Sequence, residues 1–314
     1  MSPSNAPLAL DTIIFARGLR TPPAARPVLH DIDLDVIPGE IFAIVGRAGA
    51  GKTTLFESVI GLRPVIAERL VVCGVDPRRF PIAVKQKIGI APRRPGLEPA
   101  ATVGETMAMF AACYQRADPE RALSQLQLAG ARQLRVGALT PAQQQRLSLA
   151  LAIQHDPVVL FSDEPTLELD PGDDALVWEL LRQRRTRGRT SVITTNRLDA
   201  AARMCDRIAV VHGGRLIAVE TPAAMLARSA APIRVSFELL QPEIPIDALR
   251  TIDGVKEARL DRSQYVLVTR DGAATVRGVL RLLEGQRLRP VSLVMQQQML
   301  EDVFLALTAG GAAE

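Results

Sequence analysis

From residue 8 to residue 229, short apolar or β-branched runs alternate with stretches of helical periodicity. The clearest of the short runs are Ile41–Val45, Val158–Ser162, Ser191–Thr195 and Ile208–Val211, and they are predicted as strands. Strands alternating with helices predict an α/β domain built on a mostly parallel sheet. Between Thr102 and Ile153 the helical pattern takes over, predicting a helical subdomain inserted at about 102–153.

A short break, Ser229-Ala-Ala-Pro232, precedes a second unit over residues 233–308. It reads as strand (Ile233–Leu240), helix (Ile246–Ile252), strand (Val255–Leu260), strand (Tyr265–Arg270), helix (Ala274–Glu284), strand (Pro290–Met295) and helix (Leu300–Leu307). A split β-α-β of this kind predicts a small α+β, ferredoxin-like sandwich. Residues 1–7 and 309–314 read as loose tails.

Composition narrows the class without deciding it. The 314 residues are 47% hydrophobic and 23% charged, ordinary for a packed globular protein. No apolar run approaches the roughly 20 residues a membrane span needs, and the N-terminus lacks the basic-then-apolar pattern of a secretory signal. The net charge is only +4. The densest basic run, Arg182 to Arg189, falls at a predicted helix end, where cations suit the helix dipole. Cys73, Cys113 and Cys205 form no C-x-x-C pair and read as reduced thiols, which places the chain in the cytosol. His30, His155 and His212 have no metal-ligand spacing, so no zinc site is expected.

The chemistry begins at Gly46-Arg47-Ala48-Gly49-Ala50-Gly51-Lys52-Thr53, a full match to G-x-x-x-x-G-K-[ST]. It follows a predicted strand and opens a helical run at Thr53-Thr54-Leu-Phe, the context that gives the motif meaning. The glycines let backbone N–H groups turn inward around an anion, and the helix N-terminus adds its dipole. Lys52 would reach the β- and γ-phosphates and the Thr53 hydroxyl would ligate Mg²⁺. A second run, Val158-Val-Leu-Phe-Ser-Asp163-Glu164, ends a buried strand in paired carboxylates. Asp163 would hold the metal and Glu164 would polarise an attacking water.

On these residues the chain resembles the ATP-binding subunits of ABC transporters over most of residues 28–222. The resemblance rests on Leu29-x-Asp-Ile-Asp-Leu, Pro38-Gly-Glu40-Ile, the phosphate loop, Asp163-Glu-Pro-Thr166, Leu169-Asp170-Pro171, Cys205-Asp-Arg-Ile-Ala-Val210 and Gly214-Arg-Leu. The segment Leu300-Glu-Asp-Val-Phe-Leu305 is similar to the end of the accessory domain in ATPases serving ABC-2 type exporters. The resemblance implies ATP and Mg²⁺ as ligands and a dimer that sandwiches each nucleotide between one subunit's phosphate loop and the other's signature helix. It also implies a separate membrane permease and a place on the inner face of the cell membrane. The helix Val103–Tyr114 is similar to the region that forms the permease groove. Phe110 and Tyr114, four residues apart, would share one face of it.

Four departures from the family pattern matter. The signature L-S-G-G-Q is replaced by Leu139-Thr140-Pro141-Ala142-Gln143. Thr140 can be an N-cap, Pro141 the first helical residue and Gln143 the partner of a capping box, so an ordinary capped helix and a working signature both remain open. Ala142 puts a methyl where backbone must approach phosphate closely. Arg93 stands where a metal-facing glutamine is expected, and a guanidinium has no acceptor for a metal. Asn196 replaces a histidine that senses the γ-phosphate. No aromatic residue lies near Thr21–Pro23 to stack on adenine, and Phe15, the nearest, alternates like a core residue.

These losses predict tight Mg·ATP binding, slow hydrolysis by the chain alone, and a heterodimer with a more regular ATPase subunit in preference to a homodimer. A regulatory pseudo-ATPase and a non-transport ABC ATPase are the alternatives. No nucleic-acid partner is expected, since the C-terminal unit carries no basic stripe.

Overall fold

The computed structural model describes residues 12–23, 27–167, 169–228, 233–240, 244–261, 264–269 and 271–296. The predicted helix at 300–307, the break at 229–232 and both tails lie outside these residues. The chain divides into two compact units after Pro222.

The first unit runs β1 (Ile14–Leu19), β2 (Ile32–Val36), β3 (Ile41–Val45), α1 (Lys52–Val59), β4 (Arg69–Val72), α2 (Pro81–Lys85), β5 (Ile88–Ala91) and α3 (Val103–Ala111). It continues with α4 (Pro119–Gln125), α5 (Pro141–Ile153), β6 (Val159–Asp163), α6 (Pro171–Thr186), β7 (Thr190–Thr195), α7 (Leu198–Met204), β8 (Arg207–His212) and β9 (Arg215–Glu220). Then α8 (Pro222–Arg228) leads across the division.

Six strands make one sheet in the order β5-β6-β7-β3-β8-β9, parallel throughout except for β9. β1, β2 and β4 form a separate antiparallel sheet. All five residues of β3 and of β6 are buried, because helices cover both faces of a parallel sheet and leave no side for polar residues. Phe56 of α1 meets Phe161 of β6 edge-to-face, with ring centroids 5.8 Å apart. Each such buried ring contributes about 1.5–3 kcal/mol.

The order of strands decides which loops meet. β7 lies between β3 and β6, so the loop leaving β3, the acidic end of β6 and the end of β7 share one edge of the sheet. Ligands of parallel sheets bind at that carboxyl edge.

The long helix α6 is fastened at its C-terminal end. Arg184, in its last turn, is buried and donates Nη2 to the Pro157 carbonyl at 2.9 Å, just ahead of β6. Burial pushes its guanidinium pKa down to about 10. The basic run therefore does more than complement a dipole.

The second unit runs β10 (Ile233–Leu239), α9 (Ile246–Arg250), β11 (Val255–Asp261), β12 (Gln264–Thr269), α10 (Gly272–Gly285) and β13 (Pro290–Gln296). Its sheet has the order β11-β12-β10-β13 with every neighbour antiparallel, the ferredoxin-like arrangement. Phe237 stacks on Tyr265 at 4.9 Å, and the Tyr265 hydroxyl accepts the Ile244 N–H at 2.9 Å.

Two expectations change. α3 ends at Ala111, so Phe110 and Tyr114 do not share a helix face. Tyr114 instead stacks flat on His155, centroids 3.7 Å apart, and the His155 Nε2 lies 3.1 Å from the Ile88 carbonyl. Burial pushes the His155 pKa down, partly offset by that carbonyl. Phe15 is not a core residue either. In β1 its neighbours Ile14 and Ala16 face the core, while the Phe15 ring is half-buried beneath the Arg17 guanidinium at 4.4 Å. Among the described residues no helix is long and apolar enough to cross a membrane.

The packing of α5 on β5 depends on Gly89, where a Cβ would lie 2.0 Å from the Ala152 carbonyl oxygen. Gly89→Ala should therefore destabilise the first unit by about 3 kcal/mol, the upper range of overpacking costs, measured as a lowered midpoint in urea.

Candidate nucleotide site

The loop after β3 is shaped by a close approach and a left-handed turn. Gly46 passes so near β8 that a Cβ would sit 2.4 Å from the Val211 carbonyl oxygen. Gly51 precedes α1 with φ 103°, a left-handed conformation that costs glycine little. Ala50 is buried in the core, its N–H donating to Arg47 O at 3.1 Å and its carbonyl accepting Gly214 N–H at 2.9 Å. Arg47, Ala48 and Gly49 are exposed at the tip. No side chain caps α1 and no acidic residue sits in its first turn. Its leading amides, from Lys52 through Thr53 and Thr54, are thus left for an anion.

Three charged groups converge beneath this loop although burial opposes charge. Lys52, Asp163 and Glu164 are 7%, 4% and 8% exposed. Lys52 Nζ donates to Gly46 O at 2.8 Å and Arg47 O at 3.3 Å, and lies 3.6 Å from Glu164 Oε1. The ammonium is thus held inside the curve of the loop, where a phosphate would take over from the carbonyls. Thr53 Oγ donates to Asp163 Oδ2 at 3.0 Å. A hydroxyl and a carboxylate together are hard oxygen ligands of the kind Mg²⁺ takes alongside phosphates and water. The donor set fits Mg·ATP, with Thr53 and Asp163 as the residues that would hold the metal.

Thr194, which the sequence did not single out, ties the site together. Its hydroxyl donates to Asp163 Oδ1 and accepts the Glu164 N–H at 2.9 Å. Glu164 itself has φ 51°, a left-handed backbone that costs an ordinary residue about 1–2 kcal/mol. The two bonds its N–H makes, to the Thr194 hydroxyl and the Thr194 carbonyl, hold it there. The only sequence signal is a threonine at the end of a strand beside the acidic one.

The remaining candidates divide. Asn196 does meet Glu164, but through its backbone, whose N–H donates to Glu164 Oε2 at 3.3 Å. Arg93 lines a cavity of about 420 Å³ together with Glu164, Ala142 and Pro141. Arg93 and the start of α5 are therefore brought to the carboxylate's side of the site. The capping box forms as read: Thr140 Oγ accepts Gln143 N–H at 3.2 Å, and Gln143 Oε1 accepts Thr140 N–H at 2.9 Å. The hydroxyl proton of Thr140 stays available to a partner.

A buried lysine cradled by loop carbonyls, a threonine–aspartate pair at the sheet edge and an adjacent glutamate define a phosphate-loop nucleoside triphosphatase. Residues 29–167 match the model of the ABC transporter family. The chain is 36% identical over 209 residues to the Nod factor export ATP-binding protein I of Paraburkholderia xenovorans, covering 64% of this chain and 68% of that one. It is 34% identical over 230 residues to a fluoroquinolones export ATP-binding protein of Mycobacterium tuberculosis, covering 72% and 76%. The solved structure of an ATP-binding subunit of an ABC transporter matches with a TM-score of 0.64 at 25% identity, over 69% of this chain and 93% of that one. The chain belongs to the ABC transporter family, among its ATP-binding subunits.

Thr194→Val keeps volume but removes the hydroxyl shared by Asp163 and Glu164. Stability should fall by about 1–3 kcal/mol, the cost of leaving buried polar groups short of a partner, read as ΔG of unfolding in urea.

Proposed function

We propose that this chain binds Mg·ATP at the loop Gly46–Thr53 and hydrolyses it slowly, driving export through a separate membrane permease. The observation that carries the reading is the convergence of Lys52, Thr53, Asp163 and Glu164 within hydrogen-bond or ion-pair reach of one another. Lys52 moves from the loop carbonyls to the β- and γ-phosphates, and the amides at the start of α1 bind the same phosphates. Thr53 and Asp163 hold the metal, which when bound neutralises charge on the phosphate oxygens. Glu164, released from Lys52, accepts a hydrogen bond from the attacking water and turns it toward the γ-phosphate.

Export is the reading favoured by the relatives, whose names describe export ATP-binding proteins. The chain would then lie on the inner face of the cell membrane against its permease. It works as half of a nucleotide sandwich in which the N-terminus of α5, with Thr140 as its cap, faces the partner subunit's nucleotide. One solved relative in fold is described as a dimeric bacterial ABC transporter cassette, with a TM-score of 0.58 at 23% identity. Ala142 at that helix start and Arg93 near Glu164 both weaken turnover. The methyl obstructs close backbone approach, and the guanidinium offers a metal no lone pair. A second subunit with an unobstructed signature would complete this chain's site, which favours a heterodimer.

Two substitutions separate binding from turnover. Lys52→Ala should weaken ATP affinity at least about tenfold, the scale of a lost charge-assisted contact. Glu164→Gln should leave affinity within about twofold while lowering the hydrolysis rate by roughly a hundredfold or more, the scale of a general base. Calorimetry with Mg·ATP and a phosphate-release assay read the two. Uptake of ATP unaffected by Lys52→Ala sinks the site assignment, and wild-type turnover as fast as a fully equipped ATPase sinks the weakening.

A further inference from the structure

The loop that follows β7 is held by more than its own turn. Arg197 Nη1 donates to Asp174 Oδ1 at 3.1 Å, and the same oxygen accepts the Trp178 Nε1–H at 3.1 Å. The Arg197 N–H donates back to Thr195 Oγ at 3.0 Å. Asn196 is therefore pinned on both sides, and the group it turns toward Glu164 is its backbone N–H, 3.3 Å from Oε2.

The anchor for this loop is itself fixed. Asp174 lies in the first turn of α6, which Asp170 caps through the Asp173 N–H at 2.8 Å. Asp173 stands 3.3 Å from Arg146 Nε of α5, in a pair only 12% and 17% exposed. Trp178, one turn on, is buried. Adjacent carboxylates thus face two ways, one to α5 and one to the loop beside Glu164.

We propose that Arg197 and Asp174 are positioning residues for Glu164, their ion pair keeping the Asn196 N–H aimed at its carboxylate. The proposal rests on the reading of Glu164 as the group that orients water. Glu164 has two partners, Lys52 on Oε1 and Asn196 on Oε2. Once phosphates claim Lys52, the N–H at Oε2 is the directional contact left to decide which way Oε1 faces. A loop free to move by an ångström would release it, and misplacement of that size costs a large part of an oriented reaction.

Single-turnover hydrolysis on the purified chain tests this, with ATP affinity and thermal unfolding measured on the same samples. Arg197→Ala and Asp174→Asn should each lower the rate at saturating ATP about tenfold, the equivalent of one lost hydrogen bond to a charged group. The half-saturating ATP concentration should stay within about twofold, since the phosphate-binding groups are untouched. Arg197→Lys should recover a substantial part of the rate, because one Nη1–Oδ1 contact lies within reach of an ammonium. An unchanged rate in Arg197→Ala overturns the proposal. So does a fall in affinity that matches the fall in rate, or a lysine variant no faster than alanine at equal thermal stability. Should alanine lower the melting temperature too far to be read, Arg197→Met keeps the stem's packing and is judged by the same criteria. Failure of the underlying reading looks different: Glu164→Gln would then hydrolyse ATP as fast as the wild type.

Discussion

The site depends on one hydroxyl. Thr194 at the end of β7 donates to Asp163 and accepts from the Glu164 backbone, so the carboxylate assigned to the metal and the carboxylate assigned to water are fixed by the same oxygen. Only a parallel sheet with β7 between β3 and β6 puts that oxygen between the phosphate loop and the acidic strand end. The unbroken burial of β3 and β6 is what holds those strands in register. Buried charge is tolerable here because each charged group already has a partner: Lys52 has loop carbonyls, Asp163 has two hydroxyls, and Glu164 has an ammonium and an amide.

The pairing of Lys52 with Glu164 lies at the centre of the site. The lysine and the glutamate stand as a buried ion pair, 3.6 Å apart. Under the proposed function, a bound polyphosphate would compete for the lysine and leave the glutamate to the attacking water. In that reading, binding and activation are linked by a single exchange of partners. Arg93 and Ala142 line the same cavity as Glu164.

The phosphate loop, the acidic strand end and the capped start of α5 are legible in the sequence because each is a local pattern whose chemistry follows from adjacent residues. The predicted β3 agrees to the residue, and β6 to within one. The split β-α-β order likewise shows as alternation along the chain, since its elements follow one another in short, regular runs. Less is legible where the partner is distant in sequence. Thr194 looks like any strand threonine until β7 is placed beside β6. His155 reads as an isolated histidine, yet it stacks on Tyr114, 41 positions earlier. Phe15 reads as core because alternation fixes which residues share a face, and not which face is inside. The family pattern points to the side chain of Asn196, while the contact runs through its backbone.

The fastening of α6 has a mechanical consequence. Its 16 residues span about 24 Å at 1.5 Å per residue. Near the far end Arg184 grips the carbonyl that leads into β6, and at the near end Asp173 and Asp174 grip α5 and Arg197. A rod tethered at both ends resists sliding along its own axis. The helix so acts as a brace between the entry to β6 and the segment that carries Arg146.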